Sequence, residues 1–451
     1  MRVVGRTIVA VVIVFAVLQL VRPQIPEKPP SAEVQVPPEI RAILERDCYS
    51  CHSDQRRLAW FDEIVPAYWL VRADVLQARA HLNFSTLGAK PPAAQRGTLY
   101  EAVTMMQLGA MPLPRFLALH PEAKVRPEDL ATLKAYLAPW SSLPPPEDNA
   151  TARGAMTVAS RSPLSAVRPE LNGLAFDGDF KGWKPISTTD RGDNQTLRFI
   201  LGNDVAIRAA QEGRISPWPD GTRFAKVAWQ QQLGPDGLVH PGKFIQVELM
   251  VKNAQTYEST RGWGWGRWRG LDLAPYGNDD RFVTECTTCH LPVAGNDYVY
   301  TLPITPAHVA GSEVVNQRAA ALPASLPWQP LSWGAITMFV DPARQTTATL
   351  YGNDTAIRAA RAGNPSSGTR SGPAYAEGSV LALVTWAQRD DPHWFGARIP
   401  DVPLSVEFVR VGTPNSYRRF VGTGLNELSA PAPVAAQRTD FILGLPLAQL
   451  P

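Results

Sequence analysis

Hydrophobic and polar positions change their rhythm three times along the chain. Thr7 to Val21 is a fifteen-residue apolar run, preceded by Arg2 and Arg6 and closed by Arg22-Pro23. That is short for a full membrane span and has the layout of an export segment. Pro23 to Pro38 is proline-rich and reads as an extended tether. A helical period follows, with Ile40, Ile43 and Leu44 on one face of Glu39–Asp47. A second helix is expected over Tyr68–Leu82, carrying Trp69, Val71 and Val75, and a third over Arg126–Leu137, opened by Pro127, Glu128 and Asp129. After Pro144-Pro145-Pro146 the period drops towards two: Gly221–Trp229 and Lys243–Val251 alternate or run apolar as half-buried strands do. The fold class expected is α+β multidomain, a helical N-terminal domain followed by antiparallel sheet.

The sheet region repeats itself. Gly202–Gly213 (GNDVAIRAAQEG) recurs as Gly352–Gly363 (GNDTAIRAARAG), each with an Asn/Asp start and a glycine stop around an alanine-rich helix. Flanking matches keep the same order: Trp183–Ser187 with Trp328–Ser332, Gly221–Trp229 with Gly378–Trp386, Val247-Glu248 with Val406-Glu407, and Asp297–Pro303 with Asp440–Pro446. Two related antiparallel-sheet domains are expected. On this alignment the second copy carries Leu383 for Lys226 and Ala348 for Arg198. It is also about sixteen residues shorter between Glu407 and Asp440, where the first copy holds Cys286–His290. Because Lys226, Arg198 and that motif disappear together, the two basic residues are expected to face whatever the motif binds.

Composition narrows the function. The length of 451 residues suggests about three domains, 45% apolar content is enough for real cores, and 19% charged residues exclude a disordered polyelectrolyte. A net charge of +3 removes the electrostatic basis for nucleic-acid binding, and 42 prolines argue against a long-helix bundle. All four cysteines lie in two C-x-x-C-H motifs, Cys48-Tyr49-Ser50-Cys51-His52 and Cys286-Thr287-Thr288-Cys289-His290. Two thiols a helical turn apart can each add to a porphyrin vinyl group, and the next imidazole then ligates iron from the proximal side. Zinc would require a further Cys or His pair at ligand spacing, and a dithiol redox motif does not require the histidine. Two covalent c-type haems are therefore expected, with His52 and His290 on iron.

A sixth ligand for the first haem is expected at Met111, in the rigid Gly109–Pro114 loop, with Met105, Met106, His81 and His120 as rivals. No small-x-small cleavage site follows the apolar run, which favours an uncleaved anchor and a periplasmic location, tethered to the inner membrane.

Two resemblances follow from these residues. Pro38 to Leu143 resembles the haem-binding domain of anchored bacterial cytochromes through Cys48–Ser53, Trp60, Pro66, Trp69–Val71, His81–Ser85 and Gly109–Ala123. It implies a small helical electron-transfer domain. Val167 to Pro306 resembles cytochrome P460 through Leu197–Phe199, Gly202–Gly213, Asp220–Thr222, Lys226, Val247-Glu248, Lys252, Glu285–His290 and Asp297. That resemblance implies a five-coordinate haem joined covalently to Lys226, with Glu248 and Arg198 in the distal pocket as catalytic groups. Glu248 is then expected to have its pKa raised by burial, as suits a proton acceptor, and Lys226 to lie on a buried strand without a carboxylate partner, a cost that covalent attachment removes. The resemblance also implies oxidation of hydroxylamine to nitrous oxide, or to nitrite with nitric oxide. The related cytochrome c′-beta proteins share the fold and bind gases without that role.

The organisation expected is a signal anchor over 1–23, a tether over 24–37, a helical haem-binding domain over 38–143 and a linker over 144–159. A P460-like haem domain over 160–318 and a haemless P460-like repeat over 319–451 complete it. The repeat is expected to stand where a second subunit would stand in a dimer. Partners expected are a redox cytochrome or other electron acceptor, a small nitrogen compound and the membrane, with no nucleic acid. The Arg261–Gly270 run, with Trp263, Trp265 and Trp268, is expected to cover the haem face. Nitric-oxide binding or plain electron transfer, without catalysis, are the alternative functions.

Overall fold

A computed structural model describes residues 2–141, 164–279, 281–304, 320, 322–362 and 374–451. The expected linker 144–159 and the boundary at 318/319 lie outside the described residues. The chain divides into two compact units, Met1–Pro139 and Trp140–Pro451.

The first unit is helical. Its helices are α1 (Arg2–Leu18), α2 (Pro38–Asp47), the single turn α3 (Tyr49–His52), α4 (Ala67–His81), α5 (Phe84–Leu87), α6 (Pro92–Gln107), α7 (Pro114–Leu117) and α8 (Pro127–Ser141). Glu128 and Asp129 in the first turn of α8 mark its start as expected, and α2 starts at Pro38, one residue before the expected Glu39. α6 was not expected: Gly97 and a weakly amphipathic sequence blur its period, although Leu99, Tyr100, Val103 and Thr104 are buried. Helix α1 has 17 residues, and no helix among the described residues is long and apolar enough to cross a membrane.

The tether differs from expectation. It is extended, but it is docked on its own domain: Ile25 and Val34 are buried, Val34 N–H donates to the Phe84 carbonyl, and the Tyr68 hydroxyl donates to the Pro23 carbonyl. Apolar residues spaced between prolines gave it a side to bury.

In the second unit one set of elements occurs twice. The first half has β1 (Lys184–Arg191), β2 (Thr196–Gly202), α9 (Asp204–Gln211), β3 (Arg223–Leu233), β4 (Val239–Lys252), β5 (Trp263–Arg269), β6 (Ala274–Pro275) and α10 (Arg281–His290). The second half has β7 (Gly334–Asp341), β8 (Thr346–Gly352), α11 (Asp354–Ala362), β9 (Val380–Asp390), β10 (Ala397–Arg410), β11 (Ser416–Val421), β12 (Asn426–Glu427) and α12 (Ala432–Leu443). The strands form one antiparallel sheet, β1-β2-β3-β4-β7-β8-β9-β10, that closes on itself where β10 meets β1. The seams are narrow: Val239 pairs with Val340 on one side, Asp190 with Arg398 and Arg191 with Ala397 on the other. The two halves are therefore parts of one sheet, where the sequence suggested separate domains.

Each half buries both faces of its strands. In the first, Leu197, Phe199, Leu201, Ala225, Val227, Trp229 and Val247 face one core, and Phe224, Trp263 and Trp265 face a second core against α9 and α10. The final residues cross over: Ala448 joins the first half's core, and the Trp229 indole N–H donates to the Gln449 carbonyl.

Strand register corrects the end of the sequence alignment. Lys226 pairs with Glu248 and Leu383 with Glu407, as aligned. However, α12 follows β12 as α10 follows β6. Superposing the pairs Trp268–Pro275 and Phe420–Glu427 places Cys286, Cys289 and His290 on Arg438, Phe441 and Ile442. Asp297 lies beyond its helix in a left-handed turn, φ 50°, whereas Asp440 lies inside α12, so the two do not correspond. The second half has kept the helix and replaced the motif, and the length difference falls in the connections around it. Leu350, Leu383 and Ile442 fill the space with apolar side chains, and the Arg438 guanidinium forks onto the buried Glu407 carboxylate at 2.7 and 2.8 Å.

Arg438→Met removes the guanidinium bonded to the buried Glu407 carboxylate and leaves it the Tyr417 hydroxyl as hydrogen-bond donor, with Arg419 across the strand pair. It should lower the stability of the second unit by about 2 kcal/mol, read as a fall in the urea midpoint at unchanged slope.

Candidate haem sites

The first motif sits on a sharp local device. Cys48 ends α2 with its N–H on the Leu44 carbonyl, and the single turn of α3 carries Cys51 and His52 back beneath it. Tyr49 stacks on Phe84 at 5.3 Å, fixing the turn against α5. His52 Nδ1 lies 2.9 Å from the Leu82 carbonyl. With Nδ1–H donating there, Nε2 is the nitrogen left for a metal. The Cys48 thiol is pushed up to about 12 by burial, then by Asp47, so it stays protonated at neutral pH.

The sixth-ligand candidates separate. His120 is buried with both ring nitrogens taken, Nε2 by Asp62 and Nδ1 by Glu122, each at 3.0 Å, and it stacks on Phe116. His81 is exposed and reaches Glu101 at 3.2 Å. Met111 is half-buried in a loop folded over the end of α6, its N–H donating to the Met105 carbonyl at 3.2 Å.

At the second motif the strands place charge in a row. Lys226 on β3 lies directly across from Glu248 on β4, which lies directly across from Arg267 on β5. Lys226 Nζ makes a close ion pair with Glu248 Oε2, and Arg267 Nε lies 3.2 Å from Oε1. The Gln246 amide donates to the same carboxylate. Arg198 on β2 shares this face with Ile200 and donates from Nε to the Thr196 hydroxyl at 3.1 Å. Phe224, Met250, Trp263 and Trp265 alternate with these charges and pack against Val283 and Cys286 of α10. The face carrying the row is therefore the face that meets the CTTCH helix.

Two expectations about this row are corrected. Lys226 has a carboxylate partner, whereas the sequence reading gave it none. Glu248 was expected to have a raised pKa; burial does push it up, but Lys226 and then Arg267 overcome burial and hold it at about 2. Burial lowers Lys226 to about 8 against the pull of Glu248, and lowers Arg198 to about 9. Arg267 was missed as a site residue. Its signal lay in the alternation Trp263, Trp265, Arg267, a strand period that puts all three on one face. Trp263 and Trp265 do line this face, with Trp265 4.5 Å from His290, but Trp268 is out of phase and belongs to the opposite core.

His290 repeats the arrangement of His52. Its Nδ1 lies 2.7 Å from the Tyr298 carbonyl, leaving Nε2 for a metal, and burial lowers its pKa to about 4, so the ring is neutral. The Tyr298 carbonyl is presented by a turn in which Asp297 and Tyr298 both take left-handed φ, 50° and 67°. The buried Asp297 carboxylate secures that turn, accepting from Lys252 Nζ at 2.7 Å and from Trp218 N–H at 2.8 Å. Both motifs fit haem on chemical grounds: free, part-buried thiols, a neutral imidazole with its outer nitrogen committed, and an apolar surround. Asp297→Asn strands the Lys252 ammonium in a buried position and should cost about 3 kcal/mol in urea unfolding.

Residues 8–139 match the Haem-binding domain family, and residues 178–301 match the Cytochrome P460 family. No curated protein matches the chain. With the geometry of the two motifs, these matches make the chain a haem cytochrome of the P460 kind, a haem-binding domain followed by a cytochrome P460 domain.

Proposed function

We propose that the protein is an exported, membrane-tethered dihaem c-type cytochrome that oxidises a small nitrogen compound at the second haem and passes the electrons through the first. Cys48, Cys51 and His52 would hold one haem, with Met111 as sixth ligand, and Cys286, Cys289 and His290 the other. Hydroxylamine is the first substrate candidate and nitric oxide the second. The observation that carries this reading is the Lys226–Glu248–Arg267 row, with Arg198, on the sheet face packed against the CTTCH helix. A haem that serves only electron transfer needs no such concentration of ionisable groups beside it.

The residues can do the work asked of them. With its pKa near 8, Lys226 has an appreciable neutral fraction at physiological pH, and a neutral amine is the form able to bond to a porphyrin carbon. Joining it there would replace one C–H and one N–H bond, release two protons and pass two electrons to an external oxidant such as peroxide; the ammonium would then be gone and Glu248 would lose its strongest partner. Its carboxylate then moves upward in pKa, from a locked counter-ion towards a base. Conversion of two hydroxylamines to nitrous oxide and water releases four protons with four electrons, so a proton acceptor within the pocket is required. Arg198 and Arg267 offer guanidinium donors to an N–O oxygen. The haem supplies the electron sink. Its electrons would leave for a partner cytochrome or other acceptor. Attachment to the membrane is supported by α1, whose side chains from Ile8 to Val17 are apolar and exposed on every side.

Three measurements test this. Pyridine haemochrome assay should give two covalent haems per chain, and one in the Cys286→Ser, Cys289→Ser double variant. Mass spectrometry should find the Lys226 peptide joined to porphyrin, with a strongly red-shifted Soret band in the reduced protein. An unmodified peptide with Lys226 still paired to Glu248 would instead make the pocket a gas-binding site. Glu248→Gln should slow hydroxylamine turnover by about 100-fold while leaving substrate binding within a few-fold of wild type. Unchanged turnover would remove Glu248 as the proton acceptor.

A further inference from the structure

We infer that the half without haem positions the proximal ligand of the half that carries it, through His393 and Trp394 in the β9–β10 turn. This rests on the reading of His290 as an iron ligand.

The turn of Asp297 and Tyr298 that presents a carbonyl to His290 Nδ1 is intrinsically unfavourable. Neither residue is glycine, and both adopt a left-handed backbone that residues with a side chain hold only where the surroundings impose it. At its start it is imposed by Lys252 and Trp218 of its own half. At its end it is held by the other half. The Tyr300 carbonyl lies 2.6 Å from His393 Nδ1, and His393 Nε2 lies 3.3 Å from the Asn296 amide nitrogen. Nδ1–H therefore donates to Tyr300, and Nε2 accepts from Asn296. The Tyr300 ring lies edge-on between His290, at 5.0 Å, and Trp394, at 5.5 Å, while its hydroxyl donates to the Cys289 carbonyl at 2.6 Å.

Trp394 is itself clamped. Its indole N–H donates to Asp193 at 3.3 Å, and the guanidinium of Arg191, paired with Asp193, lies 4.2 Å from its ring. Arg191 also lies at the seam where β1 meets β10. The chain of contact runs from that seam through Trp394 and His393 to Tyr300, and from Tyr300 to both the ring of His290 and the turn that takes its Nδ1–H. In the second half the matching helix ends in a simple glycine cap, Gly444, with no turn of this kind.

A proximal imidazole that donates a firm hydrogen bond is a better electron donor to iron and favours the ferric state. His393→Ala and Trp394→Leu, made in the full chain with both haems loaded, should loosen that bond. The ferrous iron–histidine stretch of the second haem should fall in frequency, and its midpoint potential should rise. His393→Gln, whose amide can still donate to the Tyr300 carbonyl, should recover most of both shifts. Arg418→Ala, which breaks an exposed ion pair of the same half, should move neither. Loaded variants with wild-type frequency and potential would overturn the inference, as would a His393→Gln protein as altered as His393→Ala. If His393→Ala does not fold, Trp394→Phe, which keeps an aromatic ring but loses the indole donor to Asp193, decides by the same readouts. Absence of haem on Cys286 and Cys289 in the wild type would instead refute the ligand reading beneath it.

Discussion

Charge on a half-buried sheet face has to be neutralised across the strands, and that requirement organises the P460 domain. Lys226, Glu248 and Arg267 are tied to one another by antiparallel register alone: a one-residue slip of β4 would turn Glu248 to the opposite, apolar face and strand two cations. The pairing therefore selects the register that also brings Phe224, Met250 and Trp265 against the CTTCH helix. Strand register and charge balance draw on the same three side chains.

The second half shows what becomes of the face when that chemistry is absent. Leu383 and Ala348 stand where Lys226 and Arg198 stand in the first half, and the only charge kept from the row is on Glu407 and Arg419, opposite one another as before. Glu407 is satisfied by Arg438, which occupies the position of a thiol, and by Tyr417. Ile442 fills the place of the histidine in an apolar cluster. The second half thus has an apolar cluster where the first has its thiols and imidazole, and it forms half of the closed sheet.

Much of this was legible in the sequence. The C-x-x-C-H motifs, three of the helices around the first of them and the strands that carry Lys226 and Glu248 follow from short-range pattern. So does the loss of Lys226 and Arg198 from the second copy. What local pattern could not reveal was long-range. One pair, Val239–Val340, and two more, Asp190–Arg398 and Arg191–Ala397, close the sheet, and no periodicity announces them. The Glu248 carboxyl was misjudged because burial and two cations act on it in opposite directions, and only the distances to Lys226 and Arg267 decide the outcome. The alignment failed over α12 because a helix whose binding residues have all been replaced retains no motif to align. His393 was invisible because it acts on a segment 93 residues earlier in the chain.

The crossing of Ala448 and Gln449 into the first half has a consequence for the order of assembly. Synthesis runs from the N-terminus, so every strand that pairs at the two seams is available before the residues that seal the core beside Trp229 exist. Until those residues arrive, that core lies open on one side although the ring of strands can already close. The C-terminal segment thus acts as a latch, set in place on a sheet whose order is already fixed.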